Sequence, residues 1–156
     1  MPELKTGERA PAFTLSDQFG RMVSLEGFKG TKLLLFFYSR ADTPGCTAQA
    51  CVVRDAVSVL AASGVRVMGV SPDRPETQQR FDEKFSLGFP LLADEDHAVA
   101  ECYGVWGEKD KDGQHIQGVR HAAFLLDPDG VILRCWYHIL PAETIRLALE
   151  FLNAPG

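Results

Sequence analysis

The chain has 156 residues and a net charge of −5 at neutral pH. Hydrophobic residues make up 46% of it and charged residues 24%, so it can bury a substantial core. We therefore predict a single domain over residues 1–156. The acidic balance provides no basic surface for nucleic acid or for anionic membranes, so neither is an expected partner.

The hydrophobic runs and the cysteines indicate a cellular compartment. The longest apolar run, LLLFFY at 33–38, is far shorter than the roughly 18 residues of a membrane-spanning helix. The first residues, MPELKTGERAPAF, lack the apolar centre of a secretory signal, so we expect a cytoplasmic protein. In that compartment, four cysteines are more often free, metal-bound or catalytic than paired in structural disulfides.

The first predicted elements are a small hairpin, a strand and a helix. Residues 13–15 and 22–25 are predicted to pair as the hairpin. Residues 32–38 are apolar without alternation, which is typical of a central strand covered on both faces. A helical pattern follows Pro44 and ends at Gly64.

The rest of the chain alternates strands with helices. The predicted strands are 65–70, 89–94, 119–126 and 131–139, the predicted helices are 75–85, 97–103 and 141–152, and the polar residues 107–118 are a predicted loop. This order predicts an α/β fold with a mixed central sheet flanked by helices. It suits a thioredoxin-like fold with an N-terminal β-hairpin extension, although a fold alone does not determine function.

The stretch SRADTPGCTAQAC at 39–51 carries the candidate chemistry. With Thr43 as N-cap and Pro44 as first helical residue, Cys46 takes the third helical position. The free N–H groups and the positive end of the helix dipole favour a thiolate there and lower the cysteine pKa. Gly45 leaves room for a small substrate, and the Thr43 hydroxyl can hydrogen-bond the sulfur or a bound oxygen. Cys46 is therefore a predicted nucleophile.

The second cysteine of the stretch, Cys51, lies five residues further along the predicted helix. Ideal helix geometry separates the two Cα atoms by roughly 8–9 Å, whereas a disulfide needs less than about 7 Å. The pair can therefore bond only if the first turns unwind, which suits capture of a sulfenic acid on Cys46 by a nearby thiol. Taken alone, Cys51 fits equally well as a small buried side chain. Cys102 and Cys135 are interpreted as core residues, with Cys102 as an alternative resolving thiol.

The segment YSRADTPGCTAQACVVRD at 38–55 resembles the peroxiredoxin Q family, also called bacterioferritin comigratory protein. GxxAPxFxL near the start, KLLLFFY, GVSPD, FPLLAD and FLLDPDG follow in the family's order, so the resemblance covers nearly the whole chain. It implies a thiol-dependent peroxidase that reduces hydrogen peroxide and organic hydroperoxides without metal, haem or flavin.

The resemblance also implies a role for each residue of the TPGC segment. Cys46 corresponds to the peroxidatic cysteine, Thr43 to the residue that orients the peroxide, and Pro44 to the residue that shields the thiolate. Cys51 corresponds to the resolving cysteine, which forms an intramolecular disulfide with Cys46. Thioredoxin or a similar dithiol protein would reduce that disulfide, and the protein would be a monomer.

Three positions depart from the family's usual residues. Ser39 replaces a Pro, Gln49 replaces a Glu, and His121 replaces an active-site Arg, with Arg120 one residue earlier. Neighbours on a strand point to opposite faces, so Arg120 cannot simply take the place of the missing Arg. A histidine is a cation only when protonated, which predicts weaker or more pH-dependent activation of Cys46. The Gln49 and His121 changes are consistent with each other, since a Glu without its Arg would repel the thiolate.

Other functions predict other patterns. A thiol–disulfide oxidoreductase usually carries CxxC, which this chain lacks. A copper-binding assembly protein of the same fold uses CxxxC with a distant His and is exported, whereas four residues separate Cys46 and Cys51 here. The histidines lack metal-ligand spacing, so no metal site is predicted. A peroxide sensor would carry the same site as a peroxidase, and the sequence leaves that alternative open.

Overall fold

The computed structural model describes residues 3–111 and 113–153, without the side chains of residues 109–111 and 115. Within these residues the strands are β1 (Thr14–Ser16), β2 (Met22–Ser24), β3 (Lys32–Phe37), β4 (Val65–Ser71), β5 (Leu91–Ala93), β6 (Trp106–Lys111), β7 (Gln114–Val119), β8 (Ala122–Leu126) and β9 (Ile132–Tyr137). The α-helices are α1 (Pro44–Ala62), α2 (Pro75–Phe85), α3 (Ala98–Cys102) and α4 (Thr144–Leu152). No helix in this described part of the chain is long and apolar enough to cross a membrane.

Seven strands form one mixed sheet in the order β2-β1-β5-β4-β3-β8-β9. Strands β3, β4 and β5 are parallel neighbours, whereas β8 and β9 run antiparallel on one side. The β1–β2 hairpin joins the opposite edge through Ser16, which pairs with Ala93 of β5. The predicted mixed sheet and hairpin extension are confirmed.

Strand β3 is apolar throughout because it lies at the centre of this sheet. Leu34 and Phe36 point to a core cluster that also contains buried residues of α1, α2 and α4. Leu33, Leu35 and Phe37 point to a second cluster on the opposite face, shared with α3 and the N-terminal segment. Two covered faces remove the alternation that a half-exposed strand would show.

Helix α1 begins and ends where its sequence signals predict. Thr43 is the N-cap and Pro44 the first helical residue, a position where its missing N–H removes no bond. Its buried side chains, which face the sheet, are Cys46, Gln49, Ala50, Val53, Ala56 and Leu60. The helix stops before Gly64, whose φ of 75° is readily adopted only by glycine. Because Cys46 and Gln49 belong to the buried face, their side chains point into the protein at the start of α1.

The polar segment 107–118 is not a loop, so that prediction is wrong. It forms the antiparallel hairpin β6–β7, a separate two-stranded sheet. Its residues are mostly polar, so the sequence lacks the alternation of apolar and polar side chains that indicates a strand. The predicted strand 119–126 is divided as well, since Val119 ends β7 and Ala122 begins β8. Arg120 and His121 lie in the break between these two strands.

Candidate active site

The loop from β3 to α1 is tied to the protein before the helix begins. The backbone N–H of Ala41 donates to the Asp73 carboxylate at 2.7 Å. Asp42 has a φ of 61°, a left-handed conformation that aspartate tolerates, and accepts from Lys84 Nζ at 2.8 Å. These contacts set the direction in which α1 starts.

Cys46 lies in the first turn of α1, at the predicted third helical position, and only 2% of it is exposed. Its Sγ is 3.5 Å from Ser39 Oγ and 3.6 Å from His121 Nε2. These two polar contacts come from different parts of the chain and meet at one sulfur. The cysteine is therefore held in a polar environment although it is almost completely buried.

His121 reaches the sulfur because of the register between β3 and β8. Phe37, the last residue of β3, pairs with Ala122, the first residue of β8. His121 therefore lies beside the chain that leaves β3 for α1. Arg120 turns away, donating to the Gly104 carbonyl at 3.4 Å. Of the two candidate residues, the structure brings His121 to Cys46, and Arg120 lies against the β6–β7 hairpin near Gly107.

These neighbours determine the acidity of Cys46. Burial alone raises the pKa of a thiol, but hydrogen bonds from His121, Ser39, Thr43 and the Arg40 N–H outweigh it. They lower the pKa of Cys46 from 9.0 to about 6. At neutral pH most of the sulfur is consequently a thiolate, the nucleophilic form.

A chain of hydrogen bonds continues from His121 into the protein. His121 Nδ1 is 3.2 Å from Gln49 Oε1, and Gln49 Nε2 donates to Thr144 Oγ1 at 2.9 Å. The Thr144 hydroxyl donates in turn to the Pro141 carbonyl at 3.2 Å. Gln49 and Thr144 are both buried. The start of α1, the start of β8 and the start of α4 are thereby linked through side chains.

The other predicted residues of the helix start occupy more open positions. The Thr43 hydroxyl donates to the Arg40 carbonyl at 3.0 Å and makes no capping bond to the helix. Pro44 and Gly45 are exposed. A Cβ added at Gly45 would meet only Pro141 Cγ, at an ordinary contact distance of 3.8 Å. Protein packing therefore leaves free space beside Gly45.

The four cysteines are free thiols in quite different surroundings. Cys51 is half-buried and lies on the same unbroken helix as Cys46, too far along it for a disulfide in this conformation. Cys102 is exposed at the end of the short helix α3, so its interpretation as a core residue is wrong. Cys135 is only half-buried: its Sγ donates to the Leu4 carbonyl at 3.4 Å, and burial raises its pKa.

A cleft of about 410 Å³ lies beside the site. Ser39 and Arg40 line one side of it, and Trp106 and Ile116 of the β6–β7 hairpin line the other. The His97 ring stacks on Trp106 with ring centroids 3.7 Å apart, which supports the hairpin from α3. Because Ser39 borders both the cleft and the sulfur, the cleft is the candidate approach for substrate.

Two contributors to the site were missed in the sequence. The family pattern identifies Ser39 only as the replacement of a proline, although a hydroxyl after a buried strand and just before a helix start is a signal for a contact with the site. Thr144 had no local signal, because its partner Gln49 is 95 residues away in the chain. Both residues follow from the packing of elements rather than from a motif.

The sequence profile of the AhpC/TSA family matches residues 6–134. The chain belongs to the AhpC/TSA family. Among its relatives, Peroxiredoxin Bcp of Escherichia coli (strain K12) is 50% identical over 132 residues, which cover 85% of each chain. Putative peroxiredoxin bcp of Haemophilus influenzae is 42% identical over 154 residues, 99% of each chain. The resemblance to the peroxiredoxin Q, or bacterioferritin comigratory protein, group is confirmed.

Solved structures of this group share the fold. Peroxidoxin BcpB of Mycobacterium tuberculosis superposes with a TM-score of 0.87 at 31% identity, over 99% of both chains. Bacterioferritin comigratory protein of Xanthomonas campestris superposes with a TM-score of 0.83 at 28% identity, over 90% of this chain and 89% of that one. The thioredoxin-like fold is confirmed. This peroxiredoxin is a peroxidase that acts on a peroxide and depends on a thiol reductant.

Proposed function

We propose that this peroxiredoxin is an atypical two-cysteine peroxidase in which Cys46 attacks the peroxide and Cys51 resolves the product. The Cys46 thiolate takes one oxygen from ROOH, so the O–O bond breaks, a sulfenic acid forms and ROH leaves after gaining a proton. The Cys51 thiol then displaces water from that sulfenic acid and forms the disulfide. A dithiol protein of the thioredoxin type reduces the disulfide and returns both thiols.

The environment of the Cys46 sulfur carries this proposal. It is buried, contacts His121 and Ser39, and has a pKa of about 6, whereas no such shift applies to an ordinary buried cysteine. Strongly perturbed thiols of this kind cluster at functional sites. The cleft beside Ser39 supports access for a hydroperoxide carrying an organic group. In its favour, the similar Xanthomonas campestris protein has alkyl peroxide reduction activity.

The residues around Cys46 support distinct roles in substrate binding. The Thr43 oxygen can accept the O–H of a bound peroxide, whether its own proton points to the Arg40 carbonyl, as in this structure, or to the Cys46 thiolate. This would turn the inner peroxide oxygen toward the sulfur. The open surroundings of Gly45 leave room for the second peroxide oxygen, and the Pro44 ring would limit the access of water to the thiolate.

The weak start of α1 supports the resolving step. Thr43 makes no side-chain cap, and the first turn contains no acidic residue to complement the helix dipole. Unwinding the first turns breaks helix backbone hydrogen bonds and the contacts of Cys46, Gln49 and the buried Ala50, but no side-chain cap or acidic first-turn residue opposes it. Local opening of this kind would bring Cys46 within reach of Cys51.

Mass spectrometry after one equivalent of hydrogen peroxide tests both cysteine roles. We expect a Cys46–Cys51 disulfide in the wild type and a trapped sulfenic acid on Cys46 in the Cys51→Ser variant. Cys102→Ser is the matched control, because Cys102 is exposed and should leave the disulfide unchanged. A wild-type disulfide from Cys46 to Cys102 or Cys135 would overturn the assignment of Cys51.

Turnover with different reductants tests the remaining steps. We expect thioredoxin with its reductase to support continuous peroxide reduction, and glutathione alone to support much less. Retained turnover with thioredoxin in Cys51→Ser would contradict an obligatory intramolecular disulfide. We further propose a monomer of one thioredoxin-like domain acting in the cytoplasm, which light scattering and cell fractionation would check.

A further inference from the structure

We propose that His121 is the acid–base catalyst of this peroxidase and that Thr144, acting through Gln49, is the positioning residue that fixes the His121 tautomer, with the lone pair on the Nε2 that faces the sulfur. The proposal rests on the proposed nucleophilic role of Cys46. It adds a route for the proton, which the two-cysteine scheme leaves unassigned. The route follows from the donors and acceptors of one buried hydrogen-bond chain.

The direction of each hydrogen bond in this chain follows from a backbone carbonyl. The Pro141 carbonyl can only accept, so the Thr144 hydroxyl donates to it. The Thr144 oxygen therefore accepts from the Gln49 side-chain NH₂ at 2.9 Å. This leaves Gln49 Oε1 toward His121, and because an amide oxygen can only accept, His121 Nδ1 carries a hydrogen.

The opposite orientation of the Gln49 amide is disfavoured. It would present Gln49 Oε1 to Thr144, whose single proton would then have to leave the Pro141 carbonyl. It would also aim an NH₂ donor at His121 Nδ1. Every buried side-chain N and O atom in the described part of the chain has a hydrogen-bond partner in the observed arrangement. The flipped amide would leave either Gln49 Oε1 or the Pro141 carbonyl without a donor, which is unfavourable for a polar atom at this site.

The consequence for His121 is a defined proton acceptor at the sulfur. With Nδ1 protonated, neutral imidazole has its lone pair on Nε2, 3.6 Å from Cys46 Sγ. The S–H bond breaks, its proton moves to Nε2, and a thiolate–imidazolium pair forms. When the sulfur attacks ROOH, the S–O bond forms, the O–O bond breaks, and the leaving oxygen takes the Nε2 proton. The sum is Cys–SH and ROOH giving Cys–SOH and ROH, with His121 neutral again.

No charged side chain described around the pair substitutes for His121. Titratable groups on the surrounding elements include Tyr38 and Arg40 beside β3, Arg120 before β8, Tyr137 and His138 at the end of β9, and Glu143 before α4. Near and within α1 they also include Asp42, which pairs with Lys84, Asp73, which accepts from the Ala41 N–H, Cys51, and Arg54, which pairs with Asp55. Burial raises the pKa of Tyr38, so it stays neutral, and its hydroxyl bonds to Gln78. Arg120 donates to Gly104, Glu143 pairs with Arg146, and His138 pairs with Glu3. Tyr137 donates to the Tyr103 carbonyl, and the Arg40 side chain is exposed.

The first test is spectroscopic and needs no turnover. Nitrogen NMR of the Cys46→Ser protein, in which no thiolate forms, should show neutral His121 as the Nδ1–H tautomer. Thr144→Val should give a mixture of tautomers, Thr144→Ser should restore the Nδ1–H form, and Thr6→Val at an exposed threonine should not change it. An Nε2–H tautomer in the Cys46→Ser protein would overturn the proposal.

The second test is the pH profile of sulfenic acid formation, trapped rapidly in a Cys51→Ser background. We expect the rate to rise with pH as the thiolate forms and to fall again where the pair loses its second proton. His121→Gln should lower the maximum by roughly 100-fold, Thr144→Val by about tenfold, and Thr144→Ser should recover most of the loss. His121→Arg should keep the acidic limb and remove the alkaline one, because Arg does not deprotonate.

The outcomes separate this proposal from the function on which it rests. An active wild type whose pH profile is unchanged by Thr144→Val would overturn the positioning role and leave Cys46 as nucleophile. A retained alkaline limb in His121→Arg would overturn the acid–base role. If Cys46 formed no sulfenic acid at any pH, the two-cysteine function itself would be wrong, whatever tautomer NMR detected.

Discussion

Ser39 lies between the buried sulfur of Cys46 and the cleft. Its hydroxyl contacts Cys46 Sγ at 3.5 Å and also borders the space through which a substrate would arrive. A proline at this position would have neither the hydroxyl nor its hydrogen bond. Serine in place of proline therefore adds a contact that stabilises the thiolate.

We expect Ser39→Ala to raise the pKa of Cys46 above about 6, because it removes a hydrogen bond that favours the thiolate. At a pH below the new pKa, the rate of reaction with peroxide would fall by about tenfold for each unit of increase. The ultraviolet absorbance of the thiolate against pH measures the shift. Ser58→Ala, at an exposed serine of the same helix, is the matched control. An unchanged titration in Ser39→Ala would contradict the role of this hydroxyl.

Arg120 and His121 are adjacent in the sequence but serve different parts of the structure. We expect Arg120→Ala to leave the pKa of Cys46 near 6, because the guanidinium contacts Gly104 and not the sulfur. His121→Ala should raise that pKa, since it removes the largest of the hydrogen bonds that lower it. Thiolate titration of both variants makes the comparison, and a raised pKa in Arg120→Ala would contradict it.

The proposed cycle requires the first turn of α1 to be intact in one step and unwound in another. In that cycle the first turn holds Cys46 against His121 for the attack, and Gln49 fastens the same turn to α4 through Thr144. The proposed disulfide with Cys51 would require those contacts to break. Because the helix start lacks a side-chain cap, the side chains of the site provide much of what holds it in place.

We expect oxidation to expose the backbone at the start of α1. In the wild type treated with one equivalent of peroxide, amides of residues 46–51 should exchange with solvent faster, because the disulfide cannot form on an intact helix. Hydrogen-exchange mass spectrometry measures this. Cys51→Ser under the same treatment should keep its protection, and an oxidised wild type with a Cys46–Cys51 bond and unchanged exchange would contradict local unwinding.

The whole molecule supports the site through the sheet that joins its parts. Strand β8 brings His121 to the end of β3, and its centre is held by Phe124, which is fully buried. The Phe124 ring contacts Phe37, Tyr103 and Tyr137 edge-on, with centroids 5.2 to 5.7 Å apart. Aromatic packing of this kind stabilises both the fold and the register between the strands.

We expect Phe124→Ala to lower the free energy of unfolding by about 3–5 kcal/mol, because it leaves a cavity among these rings. Denaturant unfolding followed by circular dichroism measures the change. Phe19→Ala is the matched control, since Phe19 is 53% exposed and should change the stability far less. Equal effects of the two substitutions would contradict the assignment of Phe124 to the core.

Short sequence patterns predicted many of the helices and strands correctly. Pro44 and Pro75 marked the starts of α1 and α2, and the unbroken apolar run of β3 marked the centre of the sheet. The β6–β7 hairpin could not be predicted, because its residues are largely polar and show no alternation of apolar and polar side chains. The position of Cys102 could not be predicted either, since a short surface helix carries too few residues for a clear hydrophobic period.

The sequence by itself determined that Cys46 stands at a helix start, behind Thr43 and Pro44, and that Cys51 is too far along that helix to bond with it. Both conclusions depend on residues close in the chain, where helix geometry is nearly invariant. Only the tertiary structure decided that His121 and not Arg120 meets the sulfur, because that contact follows from strand register. The link from Gln49 to Thr144 was likewise decided by packing, since it joins elements that no local pattern relates.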